Sequence, residues 1–259
     1  MSANEKSLND RVQDYWQAEP CGTAPSIVDG KLERYSREWF DAIEEYRYRV
    51  EPCIHSVAQF TRYRGKRVLE VGVGAGTDHL QWARAGADLY GVDLTEAGIT
   101  TTQRHLEAYG LSSKLKQVDA ELLPFEEGTF DVVYSWGVIH HSERPERIVA
   151  EIRRVLRPGG EFIGMFYHRP SLVTLKVWLK HGLLAGKPWR SFADVLYHHV
   201  ESIGTKAYTT NEMRRMFAAF GQTNVTPILT THDTRRLPSF AANLLPQSLG
   251  WFLAIKAVR

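Results

Sequence analysis

The sequence predicts an α/β fold in which a mostly parallel sheet is packed between helices. Between residues 66 and 168, short apolar runs alternate with amphipathic stretches, which is the pattern of β-α-β units. Three glycines follow the first apolar run, and Pro158-Gly159-Gly160 ends a predicted helix. Five strands are predicted in this region, at Arg67–Val71, Leu89–Val92, Lys114–Val118, Phe130–Ser135 and Glu161–Tyr167.

The regions on either side of residues 66–168 differ from them in pattern. Residues 1–65 are predicted to form a helical prefix, because apolar side chains recur there at spacings of three and four. Residues 169–205 are rich in Trp, Leu, Lys and His and are predicted to form a helical lid. Residues 206–259 are predicted to complete the sheet, with a helix at Asn211–Phe220 and strands near Asn224–Thr231 and Gly250–Val258. Helices between the first five strands are predicted near Thr77–Ala85, Thr95–Tyr109 and Arg144–Leu156.

Composition excludes several classes of protein. The chain has 259 residues, 43% of them hydrophobic, but it has no apolar run near the roughly 18 residues that a membrane helix needs. Its net charge of +2 gives no chain-wide reason to expect a nucleic-acid partner. Cys21 and Cys53 are the only cysteines, which excludes a disulfide framework and a cysteine metal site. With a polar N-terminus that lacks a signal peptide, these features predict a cytoplasmic location.

A glycine-rich turn connects the first predicted strand to the first core helix. Gly72, Gly74 and Gly76 permit positive φ and a close approach of the backbone to a ligand. The helix that follows offers free N–H groups at its start, so a nucleotide-like ligand fits here, although a tight turn without a ligand is the alternative. A dinucleotide fingerprint would place its third glycine at position 77, where this chain has Thr77.

Glu70 followed by this G-x-G-x-G spacing resembles the first motif of the class I S-adenosylmethionine (SAM)-dependent methyltransferases. Asp93, with Leu94 after it, lies 23 residues beyond Glu70 at the end of the second predicted strand. A carboxylate there can accept hydrogen bonds from both ribose hydroxyls, and its alternative role is to cap a helix. The resemblance implies that Asp119, with Ala120, contacts the adenine amino group, although Asp119 also fits a simple cap.

Two later segments extend the resemblance. Residues 130–141 resemble the fourth motif of the family, and residues 155–160 resemble the approach to its fifth strand. The match is closest to the small-molecule branch that includes the ubiquinone and menaquinone biosynthesis methyltransferases (type 11), in which Leu123-Pro124-Phe125 also recurs. The resemblance implies SAM as the cofactor and a Rossmann-like, seven-stranded, mostly parallel sheet with helices on both faces and a helical cap. It also implies that the prefix covers the cofactor, with Tyr15 in contact; a simple hydrophobic anchor is the alternative.

Candidate catalytic residues follow the fourth predicted strand. SAM carries an activated methyl group, so the enzyme mainly has to align an acceptor atom behind it. His141 is the first candidate for a general base that acts on a hydroxyl or amine, and His140 is the second. The alternative is that these histidines only hold the loop. Trp136 is predicted to line the cofactor pocket, because a flat aromatic face suits a sulfonium. The prediction is therefore methyl transfer to an oxygen or nitrogen of a small molecule.

Residues for acceptor binding are predicted near the fifth strand and in the insert. The insert contains five basic residues and no acid before Asp194, so an anionic acceptor group is one expectation and an aromatic group is another. A solvated amphipathic lid and a contact with a membrane surface are the alternatives. We predict no metal site, because adjacent histidines rarely ligate one ion together. The predicted acceptor contacts are Tyr167, His168, Trp178, Tyr197 and His198.

Three rival functions remain open from the sequence. An NAD-dependent oxidoreductase would share the fold and would also use Asp93, but Thr77 and Asp119 argue against it. A nucleic-acid methyltransferase is disfavoured, because Ser135-Trp136-Gly137-Val138 stands where amino-methylating DNA enzymes have a Pro-Pro motif. A SAM-binding regulatory protein without transferase activity is not distinguished by sequence.

Overall fold

The computed structural model describes residues 6–235, 238–242 and 244–259, and an eight-stranded sheet lies at its centre. The strands are β1 (Arg67–Val71), β2 (Asp88–Asp93), β3 (Lys114–Gln117), β4 (Phe130–Trp136), β5 (Leu156–His168), β6 (Ala207–Tyr208), β7 (Gln222–Ile228) and β8 (Phe252–Val258). Seven of them form a continuous path in the order β3-β2-β1-β4-β5-β8-β7, and the two-residue β6 pairs with the end of β5.

Eleven α-helices are present in the described ranges. They are α1 (Leu8–Ala18), α2 (Arg37–Val50), α3 (Cys53–Ala58), α4 (Thr77–Arg84), α5 (Glu96–Ala108), α6 (Pro145–Val155), α7 (Leu172–Trp178), α8 (Phe192–His199), α9 (Thr210–Met216), α10 (Thr231–Thr234) and α11 (Ser239–Ala242). Short 3₁₀ turns lie at Phe60–Tyr63, Ile139–His141 and Gln247–Leu249, and a π turn lies at Leu179–Leu183. Throughout these ranges, every helix is too short or too polar to cross a membrane.

The predicted fold class is confirmed. Strands β1 to β5 are parallel to their neighbours, whereas β8 runs antiparallel to both β5 and β7. This arrangement is a mostly parallel, seven-stranded sheet with one additional short strand. Because β1 to β4 are parallel and adjacent, their carboxyl ends lie along one edge of the sheet, where α/β folds bind ligands.

Several element boundaries differ from the sequence prediction, and two of these differences have local reasons. Strand β7 ends at Ile228, before the predicted end at Thr231, because the Thr230 side chain and Asp233 form a capping box that starts α10. Strand β5 begins at Leu156 and runs through the Pro-Gly-Gly segment, with a register shift against β4 between Phe130 and Val132. The two-residue strand β6 was not predicted, since so short a strand has no detectable periodicity.

Apolar clusters cover both faces of the sheet. One cluster joins α6 and α9 to the sheet through residues such as Ile152 and Phe217, which are fully buried. The other joins α3 and α4 to the opposite face, where Trp82 is fully buried. The helices therefore fix the sheet from both sides, and its ligand-binding edge is held rigidly.

Buried histidines make the fold sensitive to acid, and His105 and His140 are two of them. Burial lowers the pKa of His105 to about 4 and lowers the pKa of His140 well below its usual value. In the unfolded chain both rings protonate at about pH 6.5. Because the folded state keeps them neutral, their contribution to the free energy of unfolding is complete above that pH and is lost as the pH falls. For each ring, we expect the free energy of unfolding to decrease by up to about 1.4 kcal/mol per pH unit. Urea titrations from neutral pH down to the pKa of His105 measure this slope.

His105→Asn tests that assignment. This substitution is expected to remove the contribution of one ring to the decrease in the free energy of unfolding with falling pH, even if it also lowers stability at neutral pH. His198→Asn, at a half-exposed ring, serves as the control. An acid slope that is the same in His105→Asn as in the unsubstituted protein would contradict the prediction.

Candidate active site

A cavity of about 300 Å³ lies at the carboxyl edge of the sheet. The glycine turn after β1 forms its floor, with φ of +82° at Gly72, +53° at Gly74 and +77° at Gly76. A Cβ atom on Gly72 would lie 2.3 Å from a methyl carbon of Val138, so only glycine fits there. Gly72 and Gly74 line the cavity, whereas Gly76 caps α4 behind it.

Asp93 connects the glycine turn to α5. Its Oδ2 accepts a hydrogen bond from the backbone N–H of Gly74 at 3.0 Å, and its Oδ1 accepts from the backbone N–H and the hydroxyl of Thr95. Thr95, and not Asp93, is the N-cap of α5. The Asp93 carboxylate therefore links the glycine turn to the start of α5, and it also lines the cavity. Its role is thus more than that of a helix cap.

The end of β3 and helix α1 form a further wall. Asp119 and Ala120 line the cavity, and so does Leu94 after β2. Asn9 on α1 donates from Nδ2 to Oδ2 of Asp119 at 3.1 Å, and Gln13 donates from Nε2 to the carbonyl of Leu94 at 3.0 Å. These two hydrogen bonds attach the prefix helix to the rim of the cavity.

Glu70 lies below the glycine turn in a buried pair with His79. Glu70 Oε2 is 2.9 Å from His79 Nδ1, and His79 Nε2 is 2.7 Å from the hydroxyl of Ser113. Burial and the charge of Asp78 raise the pKa of Glu70 well above its usual value, while burial lowers the pKa of His79 to about 3. Burial thus disfavours the charged form of both groups.

A second polar network holds one cation at the cavity. Asp78 accepts hydrogen bonds from Arg47 at 2.8 Å, from the Tyr48 hydroxyl at 3.0 Å and from the Tyr134 hydroxyl at 2.8 Å. Burial opposes the charge of Arg47, but Asp78 and Glu51 raise its pKa well above the usual value. Among the described residues that line the cavity, Arg47 is the single Lys or Arg side chain.

A group of aromatic and titratable side chains also lines the cavity. His141 lines it from the 3₁₀ turn after β4, with the Trp16 ring 5.5 Å from its own, and Tyr167 lines it from β5. Trp136 also lines the cavity and donates from Nε1 to Glu51 at 2.7 Å. Glu201, at the end of the insert, contacts both His141 and Tyr167.

Several predicted site residues lie outside the cavity lining. His140 is fully buried behind His141, with its ring 4.1 Å from that of Tyr167. His168 is also buried and pairs through Nδ1 with the carbonyl of Gly250. Tyr15 is 46% exposed and points away, while its neighbour Trp16 lines the cavity. The others in this group are Gly76, Trp178, Tyr197 and His198.

The basic residues of the insert are largely occupied within the protein. Arg169 pairs with Glu212, Lys176 donates to the backbone carbonyls of residues 232 and 233, and Arg190 pairs with Asp194. Such internal partners reduce what these cations offer to an anionic acceptor. The insert reaches the cavity through its last turn, where Glu201 lies.

The sequence analysis missed Trp16, Arg47 and Glu201. Trp16 was detectable, since it follows the buried Leu8 and Val12 at intervals of four on one helical stripe. Arg47 and Glu201 carry no such signal. Each reaches the cavity through tertiary contacts with residues far away in the chain, namely Asp78 and His141.

Comparison with known proteins agrees with this geometry. A family described as a methyltransferase domain matches residues 69–164. The ubiquinone biosynthesis O-methyltransferase of Roseobacter denitrificans is 30% identical over 159 residues, covering 56% of this chain and 64% of that protein. A phthiotriol/phenolphthiotriol dimycocerosates methyltransferase of Mycobacterium ulcerans is 43% identical over 142 residues, covering 54% of this chain and 50% of that protein. The chain thus matches less than two thirds of the length of these relatives.

Solved structures share the fold along the whole chain. The magnesium protoporphyrin IX methyltransferase of Synechocystis, with bound SAM, has a TM-score of 0.60 at 15% identity and covers 100% of both chains. The cyclase SpnF has a TM-score of 0.62 at 17% identity and covers 100% of this chain and 99% of its own. Residues 69–164 therefore match a methyltransferase domain family, and the solved structures share the fold of the chain.

Proposed function

We propose that this protein transfers a methyl group from SAM to an oxygen or nitrogen of a small-molecule acceptor, releasing S-adenosylhomocysteine. The observation that carries this proposal is that two sets of residues line one cavity. One set, the glycine turn with Asp93 and Asp119, would form a first, cofactor end, and the other, His141, Tyr167 and Glu201, would form a second, acceptor end. A cofactor bound at the first end would direct its reactive group toward the second.

The residues of the first end fit SAM. The turn at Gly72 and Gly74 leaves no side chain between the backbone and a ligand. Asp93 would accept from the ribose hydroxyls, and Asp119 would accept from the adenine amino group. Arg47 would pair with the carboxylate of the methionine moiety. The apolar side chains of residues 94, 118 and 148 would cover the adenine ring.

We propose that the acceptor is aromatic. Trp16, Trp136 and Tyr167 line the second end, and flat rings favour a flat partner. The expectation of an anionic group on the acceptor becomes weaker, because three basic side chains of the insert already have partners within the protein. They are Arg169, Lys176 and Arg190. Arg47 lies beside Asp78 and is better placed for the cofactor.

The proposed segments each have a role in this reaction. Residues 66–168 would bind SAM, the prefix over residues 1–65 would cover it through α1, and the insert over residues 169–205 would close the acceptor end through Glu201. Residues 206–259 complete the sheet with β7 and β8. We also propose a cytoplasmic location, in which Cys21 and Cys53 stay reduced.

Catalysis would depend on alignment and on removal of one proton. SAM supplies an activated methyl group when bound, so the aromatic wall has to place the acceptor atom in line with it and exclude water. His141 lines the cavity, as does His232, whereas the fully buried His140 lies outside the lining. Proton removal is then needed for a hydroxyl acceptor at neutral pH.

Calorimetric titration with SAM, S-adenosylhomocysteine and NADH tests the cofactor. We expect both adenosyl ligands to bind and NADH not to bind, because Asp119 and the G-x-G-x-G turn match SAM and Thr77 departs from the dinucleotide pattern. Binding of NADH alone would favour the oxidoreductase alternative.

An acceptor screen with methyl-labelled SAM tests transfer. The panel consists of phenol, catechol, 4-hydroxybenzoate and aniline, so that the number of hydroxyl groups, the charge and the acceptor atom vary separately. Label is expected on the catechol or phenol oxygen. SAM binding without transfer to any acceptor in a wider panel would favour a regulatory SAM-binding protein. The similarity in fold to the cyclase SpnF is a reason to test this alternative, because one fold supports different chemistries.

A further inference from the structure

Glu201 differs from the other carboxylates of the cavity in its partners. Glu70 bonds to His79, Asp78 to Arg47 and two tyrosines, and Asp93 to the glycine turn. Glu201 instead accepts from the Tyr167 hydroxyl at 2.8 Å through Oε1, and its Oε2 lies 3.2 Å from Nε2 of His141. Its side chain is 38% exposed, so it remains accessible from the cavity that it lines.

The hydrogen-bond partners of Nδ1 indicate which ring nitrogen of neutral His141 carries the hydrogen. Nδ1 lies 2.9 Å from the Ser202 hydroxyl and 3.1 Å from the Thr205 hydroxyl. The single hydroxyl hydrogen of Thr205 is directed to backbone carbonyls, those of Val200 and Ser202, each at 2.7 Å. Toward His141, Thr205 can therefore only accept. A bare Nδ1 could accept from the Ser202 hydroxyl but would face the Thr205 oxygen without a hydrogen between them, so we assign the hydrogen to Nδ1, with Ser202 and Thr205 as its acceptors.

This tautomer leaves a lone pair on Nε2 that faces a carboxylate oxygen. Nε2 is buried and makes no hydrogen bond, although Oε2 of Glu201 lies 3.2 Å away. The pair of Nε2 and Oε2 is therefore a vacant site for one proton. Nδ1 faces Ser202 and Thr205 and Nε2 faces Glu201, so the contacts of both ring nitrogens are within the protein.

We propose that Glu201 is the residue that contacts the acceptor and removes its proton, and that His141 receives this proton from Glu201. The proposal rests on the proposed methyl transfer and names a further catalytic residue, contributed by the insert. His141 then acts as the proton store behind Glu201, and Tyr167 positions the carboxylate by donating to its other oxygen.

The step balances in atoms and charge. The acceptor O–H bond breaks, the oxygen takes the methyl group from the sulfonium, and the neutral thioether of S-adenosylhomocysteine leaves. The released proton passes to Oε2 of Glu201 and on to Nε2 of His141, which yields an imidazolium beside a carboxylate. Burial raises the pKa of Glu201, but the hydrogen bond and charge of His141, the Tyr167 hydroxyl and the charge of His232 lower it overall, which favours the carboxylate form of Glu201 after the proton has passed on.

Glu201→Gln tests the proposal, because glutamine has a similar shape but does not take up a proton at neutral pH. We expect kcat with catechol to fall by about 100-fold or more, within the usual range for loss of a general base, while the Kd for SAM stays within about twofold. Glu201→Asp is expected to recover part of the rate. Against 4-nitrocatechol, whose hydroxyl is already largely ionised, the loss in Glu201→Gln should be much smaller, which a structural defect would not produce.

Asp194→Asn is the matched control, since it removes a carboxylate of the same insert that lies outside the cavity lining. It is expected to leave kcat unchanged. Equal losses with catechol and 4-nitrocatechol in Glu201→Gln, or no loss with either, would overturn the proposal.

A readout without an acceptor separates this proposal from the proposed function. The ¹⁵N resonances of the His141 ring are expected to show a hydrogen on Nδ1, and the Nε2 resonance should move in Glu201→Gln but not in Asp194→Asn. A bare Nδ1 would overturn the proposal even if methyl transfer is found. Donor atoms of His140, His141 and Glu201 lie within 4.8 Å of one another, so a chelator-sensitive rate restored by Mn²⁺ would also overturn it, in favour of a bound cation.

Discussion

Asp93→Ala is expected to weaken SAM binding by about 10- to 150-fold, which corresponds to the roughly 1.5–3 kcal/mol of hydrogen bonds to a charged group. The carboxylate would contact the ribose, and it also holds the backbone N–H groups of Gly74 and Thr95. Both donors lose their partner in the variant, so the free energy of unfolding should also fall, by about 1–3 kcal/mol. Calorimetry with SAM and urea titration measure the two effects separately.

Asp88→Ala provides a matched control at the other end of β2. Asp88 makes surface ion pairs with Arg67 and Lys114, which contribute little to stability. The Kd for SAM should not change in this variant. Unchanged SAM affinity in Asp93→Ala would remove the ribose assignment, and the carboxylate would then serve only to hold the turn.

Gly72→Ala is expected to lower the free energy of unfolding by about 2–5 kcal/mol. A φ of +82° is unfavourable for alanine by about 1–2 kcal/mol, and the new Cβ atom would collide with Val138 at 2.3 Å, adding about 1–3 kcal/mol of overpacking. Val138 directly precedes the turn that holds His141, so its displacement should reduce methyl transfer as well as SAM binding. Thermal denaturation with and without SAM measures the effect.

Gly110→Ala separates backbone strain from the collision. Gly110 also has a positive φ, of +66°, but open space surrounds its Cβ position. This control should lose only about 1–2 kcal/mol and retain SAM binding. The double variant Gly72→Ala with Val138→Ala should recover part of the loss. Equal losses at positions 72 and 110 would show that the collision has no energetic effect.

Local sequence patterns predicted that several of these residues lie close together in the fold. Glycines, acids at strand ends and alternating apolar runs are encoded by neighbours in sequence, and parallel strands bring their carboxyl ends together in any such sheet. Gly72, Asp93, Asp119 and His141 therefore line one cavity as the order of the motifs implied. Tyr15 was expected from the resemblance to contact the cofactor, but helical phase instead directs Trp16 toward the cavity.

The sequence by itself determined the fold class, the glycine turn and the cofactor end of the cavity, because each depends on contacts between residues close together along the chain or at adjacent strand ends. Only the tertiary structure decided which groups meet at the acceptor end. Glu201 lies 60 residues from His141 in the sequence, and it reaches Nε2 only because the insert folds back over β5. Such long-range pairs leave no periodic signal, since the energy that forms them comes from the packing of whole segments and not from local propensity.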